Sequence, residues 1–565
     1  MMEPFERIDI QELPLSVPLF RRQVEDFLGR NGLRLEEVDL YRVVQDADGA
    51  ILAGGGLYRD IIKCIAVSES ARSLGLSVPL ISHLIAEAAS RGYPNVKVFT
   101  KPENRTVFES LGFKLLAEAP KAILLENGRG LEDYCRYLRA HRSAGVIVMN
   151  ANPFTWGHRY LVEQASAYLD EATTAIVPNG SRSAKSRNLV VIPVREDVSF
   201  FPYAARAEMI RQGCKRLAHV VEGSDYQISA ATFPTYFLKD LSDAAETQMR
   251  LDLDLFGRHI APALGASIRF VGTEPTDPLT ARYNALMKEM LPAYGVQVVE
   301  VPRLGYEDGV VSASRVRAHL AAGEFKAAAA LTPETSHPNL LTYLAVRALR
   351  MELEAPMKPG LVGPDGPGAH RDMDYGLMLR SIEALRPFFP RMVRAGSPEE
   401  LRQIGLEAEQ AMLAATGGVN THRGAIFALA LALYRHPFEE TAAALDDGSS
   451  IRRDPAVKGA MQMARDGYRD LFEDWLPYFR SVHDQPFSLQ MTLLRIMSTL
   501  DDTCILHRVG HDRAQEVKGE ANALLEDFSE EGLRDMCARY AAEGVSPGGA
   551  ADMLALTLFI ESILN

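Results

Sequence analysis

The sequence predicts a multidomain fold: a mixed α/β segment (residues 1–140), an α/β segment built on a parallel sheet (141–335) and an all-α segment (336–565). Three observations carry this. Near the start, the strand-like runs "AILAGGGLY" and "IIKCIAVS" precede a helical stripe of Leu80, Ile81, Leu84, Ile85 and Ala88. From about residue 141 the chain repeats strand, loop and helix, an alternation that sets parallel strands under crossover helices. After about residue 336 the β-branched runs give way to Leu, Ala and Met at helical spacing, punctuated by Pro and Gly. A length of 565 residues accommodates about three or four domains of ordinary size.

Composition narrows the function classes. A net charge of −13 argues against a general nucleic-acid binder, which needs a basic footprint. It leaves room for one nucleotide held by backbone amides and a few arginines. The five cysteines are scattered and never spaced as CxxC, as expected in a reducing compartment, with neither a disulfide framework nor a zinc site. The opening "MMEPFE" lacks the pattern of a signal peptide. The most apolar run, "AIFALALALY", is about half of what a membrane helix requires and is flanked by Arg423 and Arg435. The expectation is a soluble, cytoplasmic protein with no membrane and no nucleic-acid partner.

In the first segment, "NVKVFT" reads as a further strand and "NRTVFESLGF" as a short helix ending at Gly112. Cys64 lies inside a strand-like run and reads as a buried structural thiol.

The middle segment holds four strand–helix units: "GVIVM" then "GHRYLVEQASAYL", "NLVVIPV" then "AARAEMIRQG", "SIRFVGT" then "ARYNALMKEML", and "VQVVEVP" then "SASRVRAHLAAG". A polar, basic loop, "PNGSRSAKSRN", interrupts the array. The turn "NPFTWGH" (Asn152 to His158) delivers a helix start, whose free amides and dipole suit phosphate. Gly157 lets the backbone approach closely, and His158 can donate to an α-phosphate as pyrophosphate leaves. Alone, the motif fits a satisfied buried histidine equally. At the far end, "VSASRVR" places Ser312, Ser314 and Arg317 around another helix start, a second cradle with a charge-assisted donor. Alone, it is an ordinary serine N-cap. At opposite ends of one βα array, the two favour nucleotidyl transfer at the topological switch point.

Together, "VMNANPFTWGHRYLVEQA", "EDVSFFPYAAR", "ISAATFPTYFLKD", "RFVGTEPTDPLTARYN" and "VSASRVR" resemble citrate lyase ligase. The resemblance implies a GNAT-like domain followed by a Rossmann-like nucleotidylyltransferase domain. It also implies acetyl-AMP formation from ATP and acetate, and acetyl transfer to the prosthetic-group thiol of the acyl carrier subunit of citrate lyase. Carried over by motif, Asn152, Thr155, Gly157 and His158 serve the α-phosphate. Ser312, Ser314 and Arg317 serve the β- and γ-phosphates, and Thr273 and Glu274 the adenosine half. Arg195 stands where the family has lysine, exchanging a point donor for a fork. "IIKCIAVSESARSLGLSVPLISHLI" and "VFTKPENRTVFESLGF" resemble a GNAT acetyltransferase. There Arg72, Gly75 and Ser77 approximate the pyrophosphate loop and Asn104 the asparagine segment, together suited to the pantetheine arm. The alternative is a degenerate domain that only packs against its neighbour.

In the last segment, "MKPGLVGPDGPGAHRDMDYGLMLRSIEAL" gathers Lys358, His370, Asp372 and Asp374 around a Pro/Gly loop. "GLEAEQAMLAATGGVNTHRGAIFAL" adds Glu407, Glu409, Asn420, Thr421, His422 and Arg423. Acids beside bases suit a triphosphate with Mg²⁺, although solvated helix-end charges would look alike. "KPGLV", "GAHRDMD", "GVNTHRGAIF", "DDTCILHRVG" and "SPGGAADMLAL" together resemble triphosphoribosyl-dephospho-CoA synthase. That family joins the ribose C1 of ATP to the 2′-hydroxyl of dephospho-CoA and expels adenine. A glycosyl transfer of this kind needs a base, an acid and negative charge near an oxocarbenium-like centre. The candidates are Asp372, Asp374 and Glu409 for metal and base, His370 for acid, and Lys358 and Arg423 for triphosphate. Asp372 and Asp374 would splay about 200° apart on a regular helix, so Asp372 should remain in the loop. Cys504 and Val509 stand where the family has asparagine and glycine, and Gly363 replaces an aspartate that Asp365 can supply. Two alternatives remain: maturation of malonate decarboxylase, or a non-catalytic carrier-binding scaffold.

Overall fold

The computed structural model describes residues 8–176, 188–195, 199–228, 233–235, 237–238, 243–275, 277–306, 309–445 and 460–565. The chain divides into two compact units, Met1–Val311 and Ser312–Asn565.

The first unit contains both sheets. Seven strands run in the spatial order Gln11–Glu12, Leu40–Gln45, Ile51–Tyr58, Ile61–Val67, Val96–Thr100, Ala122–Asn127 and Lys114–Ala119. All neighbours are antiparallel except Ile61–Val67 and Val96–Thr100, which pair in parallel only at Ile61–Lys97 and Ile62–Val98. Where these two strands part, the turn Glu69–Leu74 and the left-handed Gly75 (φ +67°) lead into the helix Ser77–Ser90. Its expected stripe is buried at Leu80, Ile81, Leu84 and Ala88 against Leu40, Leu57, Ile62 and Val98 of the sheet.

Five parallel strands form the second sheet, in the order His219–Val220, Leu189–Pro193, Gly145–Met149, Ile268–Gly272 and Gln297–Val301. The four expected strands are present; the short His219–Val220 strand had no legible periodicity. The "PNGSRSAKSRN" loop lies, up to Asn188, outside the described residues, as do parts of "EDVSFFPYAAR" and "ISAATFPTYFLKD" and Thr276. The two sheets share one core, in which Leu124, Leu131 and Leu138 pack in the same cluster as Val146, Val190 and Leu264. The buried Asp254 carboxylate joins them too, accepting from Glu118 N at 2.8 Å and Arg258 Nη2 at 3.0 Å.

The second unit is helical, with one isolated bridge between Gly363 and Gly366 among its described residues. Its core helices are His337–Glu354, Arg423–Tyr434 and Gly548–Leu564. The "AIFALALALY" run is buried within this bundle, and among the described residues no helix is long and apolar enough to cross a membrane. The helices Ala313–Ala322 and Phe325–Ala330 belong to this unit, ahead of the expected join at 335/336. Burial explains their place. Phe325 packs edge-on to His337 at 5.7 Å, and Lys326 bonds the Leu564 carbonyl.

Candidate active sites

In the first unit the central strand Gly145–Met149 lies between Leu189–Pro193 and Ile268–Gly272, and the strand order reverses there. Its C-terminal end feeds the Trp156–Ile176 helix. Thr155 caps that helix, its Oγ1 accepting from His158 N at 3.4 Å. The His158 ring reaches back, and its Nδ1 accepts from Thr155 N at 3.1 Å and lies 2.8 Å from Thr155 Oγ1. This is a reciprocal cap with imidazole in the place usually taken by Glu or Gln. Burial and the nearby Arg303 push the His158 pKa down to about 4. With Nδ1 accepting, the neutral ring carries its proton on Nε2 and can donate it to an anion. Gly157 has a packing reason as well as the expected one. A Cβ there would stand 3.3 Å from the Val311 carbonyl oxygen, closer than side chains normally sit.

The other expected residues of this unit lie at the same sheet edge, because each follows a parallel strand. Asn152 Oδ1 accepts from Phe201 N at 3.0 Å, fixing the turn. Arg195 follows Leu189–Pro193, exposed, 3.7 Å from Asp225. Thr273 and Glu274 follow Ile268–Gly272 and are held by Arg303, whose Nε donates to Thr273 O at 2.8 Å and whose Nη2 bonds Glu274.

Two arginines escaped the sequence reading. Arg303 follows the last strand, and nothing local distinguishes it from a surface arginine. Arg206, fully buried, donates to Asn150 O at 3.0 Å, Val194 O at 2.9 Å and Phe201 O at 3.0 Å, tying three loops of this edge together. An arginine in the apolar stretch "AARAEMI" was the available signal.

In the first sheet, Arg72 and Gly75 are exposed, Ser77 is half-buried, and no side chain caps the Ser77–Ser90 helix, where Pro79 has no amide hydrogen and Leu80 N donates to Leu76 O at 3.2 Å. Asn104 Nδ2 donates to Thr100 Oγ1 at 2.8 Å. Burial lifts the Cys64 thiol to about 11, in keeping with a structural role. At the head of the second unit, Ser312 caps Ala313–Ala322 by accepting from Arg315 N at 3.3 Å, and Ser314 Oγ lies 3.0 Å from Ser312 Oγ. Arg317, in the same helix, is half-buried.

The helical unit holds two adjoining cavities of about 630 and 220 Å³ that share Asn420, Arg423, Gly424, Cys504 and Asp552. Of the expected acids only Glu409 lines them, in the larger cavity. Asp374 caps the helix Tyr375–Leu385, accepting from Leu377 N at 2.7 Å, and Asp372 stays in the loop as anticipated. Glu409 pairs with Arg423, and Glu407 with Arg391 at 2.7 Å. Among the described residues no group of three or more His, Cys, Asp or Glu is placed to hold a metal. Lys358 is buried and paired with Glu352 at 2.5 Å, so its charge is already compensated. Asp365 accepts from Met357 N at 2.7 Å, holding the loop. His370 does reach the smaller cavity. Its Nδ1 accepts from Arg508 Nη2 at 3.1 Å and its Nε2 lies 2.8 Å from Ser546 Oγ. Burial and Arg508 lower its pKa, so the ring is neutral and poorly suited to the acid role expected of it.

The cavity walls also carry Asp502 and Asp552, which spacing did not reveal, beside His422 and Cys504, which the sequence had singled out. Asp502 caps Thr503–Val509 and also accepts from Ala550 N at 2.8 Å. Asp552 stands in both cavities, and a Cβ on Gly424 would collide with its Oδ2. Burial, Asp502 and Glu352 raise the Asp552 pKa well above the carboxylate range. His422 Nδ1 lies 2.7 Å from Ser381 Oγ, which lies 2.7 Å from Thr421 Oγ1. Its Nε2 is buried with no hydrogen-bond partner, and burial and Lys358 lower its pKa to about 4. Cys504, in the asparagine position, is exposed and borders both cavities.

With these sites described, the class is clear from comparison with known proteins. A family model for the citrate lyase ligase C-terminal domain matches residues 144–340, and one for ATP:dephospho-CoA triphosphoribosyl transferase matches 338–445 and 435–565. The citrate (pro-3S)-lyase ligase of Haemophilus influenzae is 40% identical over 346 residues, covering 59% of this chain and 96% of that protein. Its counterpart from Klebsiella pneumoniae is 38% identical, covering 57% of this chain and 92% of that protein. A probable 2-(5″-triphosphoribosyl)-3′-dephosphocoenzyme-A synthase of Azotobacter vinelandii is 35% identical over 276 residues, covering 41% of this chain and 94% of that protein. A solved acyl-CoA N-acyltransferase from Klebsiella pneumoniae aligns to 21% of this chain and 95% of its own at 13% identity and a TM-score of 0.18, a likeness from which nothing follows. The chain belongs to the citrate lyase ligase family and, through its C-terminal part, to the triphosphoribosyl-dephospho-CoA synthase family.

Proposed function

We propose that this chain matures citrate lyase through two activities in tandem. It is a ligase that activates acetate as acetyl-AMP and acetylates the prosthetic-group thiol of the acyl carrier subunit. It is also a synthase that makes the precursor of that group from ATP and dephospho-CoA, releasing adenine. The observation that carries the reading is the succession of the two families along nearly the whole chain, which covers 96% of the Haemophilus influenzae ligase and 94% of the Azotobacter vinelandii synthase. Both substrates, ATP and dephospho-CoA, belong to the cytoplasm, where the protein would act.

In the ligase the Rossmann-like nucleotidylyltransferase segment, 141–335, binds ATP at the sheet edge. The helix start at Thr155 and Gly157 receives the α-phosphate, and His158 Nε2–H donates to the charge that develops there. Asn152 shapes the turn, Arg303 and Arg195 add positive charge, and Thr273 and Glu274 border the adenosine half. Ser312, Ser314 and Arg317 take the β- and γ-phosphates. The GNAT-like segment, 1–140, offers the Gly75 turn with Ser77, and Arg72 and Asn104, to the phosphopantetheine arm. In the synthase segment, 336–565, Arg423 borders both cavities and meets the triphosphate, while Lys358 braces the loop through Glu352. Mg²⁺ arrives on ATP. The dispersed carboxylates Asp372, Asp374 and Glu409 suit a cation held mainly by substrate phosphates.

Incubation with ATP alone, with acetate, with acetate and the carrier, and with dephospho-CoA tests both halves. Pyrophosphate exchange should require acetate, AMP release should require acetate and carrier, and adenine should require dephospho-CoA. Acetylation of the malonate decarboxylase carrier in preference to that of citrate lyase would redirect the assignment. Silence in every arm would leave only the scaffold.

A further inference from the structure

We propose that Asp552 and His422 are the acid and base of the glycosyl transfer in the helical unit, working across the cleft formed by its two adjoining cavities. This rests on the synthase reading above. Three features of the geometry point to it. Asp552 reaches the wall shared by both cavities, and only a glycine at position 424 leaves room for its carboxylate. His422 lines the smaller cavity and is 3% exposed, with Nε2 free of any hydrogen-bond partner, an arrangement proteins rarely leave without a use. Ser381 Oγ, itself 2.7 Å from Thr421 Oγ1, lies 2.7 Å from the opposite nitrogen and holds the ring.

The environments push the two groups apart in the sense that acid–base pairs require. Burial raises the Asp502 carboxyl as well, opposed by the amides of Ala550 and Cys504 that donate to it. Asp552, beside it and near Glu352, retains its proton. His422, beside the Lys358 ammonium, stays neutral. A carboxylic acid and an imidazole base thus border one cleft.

The step balances with these two groups. His422 Nε2 takes the proton of the attacking ribose hydroxyl, whose oxygen bonds the anomeric carbon of the nucleoside triphosphate. The bond from that carbon to the purine breaks with its electron pair on nitrogen, and the purine takes the Asp552 proton. One proton moves from hydroxyl to purine, and solvent returns the other from His422 to Asp552.

The test measures base release with dephospho-CoA from two donors, ATP and N7-methyl-ATP. The methylated base is already cationic on the ribose and leaves neutral without a proton. Asp552→Asn should slow adenine release by at least about a hundredfold yet keep N7-methyladenine release within about threefold. The ratio of the two rates in one preparation does not depend on how much protein is folded. His422→Gln should lose about a hundredfold in kcat on both donors, with the KM for dephospho-CoA unchanged. Equal loss on both donors in Asp552→Asn overturns the acid assignment, and a near-normal kcat in His422→Gln overturns the base. A wild-type protein that releases no adenine sinks the synthase reading itself.

Discussion

The parallel-sheet edge of the first unit and the cleft of the helical unit, the two candidate sites, are built by opposite means. At the sheet edge each functional residue follows directly on the end of a strand, and main-chain amides and short-range caps do much of the work. In the helical cleft the walls come from helices far apart in sequence, such as Arg423–Tyr434, Thr503–Val509 and Gly548–Leu564, and side-chain burial sets the chemistry. A motif can announce the first kind of site. The second becomes visible only when its helices are packed.

The contrast can be broken most directly at His158. His158→Ala should cut acetate-dependent pyrophosphate exchange by roughly a hundredfold or more while adenine release continues. His158→Gln keeps an acceptor for Thr155 N and should preserve Tm without restoring exchange, separating cap from catalysis. Near-normal exchange in either variant would make the histidine purely structural.

The next largest effect should come from the helical unit's buried ion pair. Lys358→Met strands Glu352 and should cost about 3–5 kcal/mol, read as a fall in the denaturation midpoint. The double variant with Glu352→Leu should recover most of that loss, and a double variant no better than the single one would mean that the lysine acts beyond its partner.

Moving the join sharpens the comparison further. A fragment 312–565 should be more stable than 336–565, because the latter lacks Phe325 and its edge contact with His337. Truncating one such buried aromatic costs about 3–5 kcal/mol when it is complete, and less where the site collapses. Equal midpoints for the two fragments would restore 335/336 as the working boundary.

Acid should weaken both units. His158 and His422 have folded pKa values near 4, below the ordinary 6.5, so the unfolded chain binds protons that the native state does not. Their contribution is therefore complete above pH 6.5 and is lost as pH falls towards 4. For the fully buried His422 it is at most about 3 kcal/mol. His422→Gln should flatten the stability slope over that window, and an unchanged slope would show that the ring is protonated in the native protein.

The smallest effect belongs to Arg72. It is exposed, so Arg72→Ala should leave Tm unmoved and raise the KM for the carrier a few-fold. An unchanged KM would favour a first segment that only packs against its neighbour.

Much of this was legible before folding. The alternation of strands and helices, the "TWGH" helix start and the "VSASRVR" cap are patterns of period and of neighbours within a turn, and they appear where the residues implied them. The helical site was legible as a neighbourhood and not as a set of roles. Asp374 was drawn into a cap, Glu409 into a pair with Arg423 and Lys358 into a pair with Glu352. Asp552 sat unnoticed in "GGAADMLAL", although a carboxylate in so apolar a run asks for a reason.

By itself, then, the sequence determined what depends on bonds spanning three or four residues: element type, helix starts, the turn that carries His158 and the buried helix "AIFALALALY". Only the tertiary structure decided what depends on neighbours distant in the chain. Those features are the single core under both sheets, the loops tied by Arg206, the inclusion of Ala313–Ala330 in the helical unit, and the environments that raise the Asp552 pKa and lower that of His422. The reason is that desolvation and Coulomb energy are set by whatever packs within a few ångströms, and sequence separation does not constrain that.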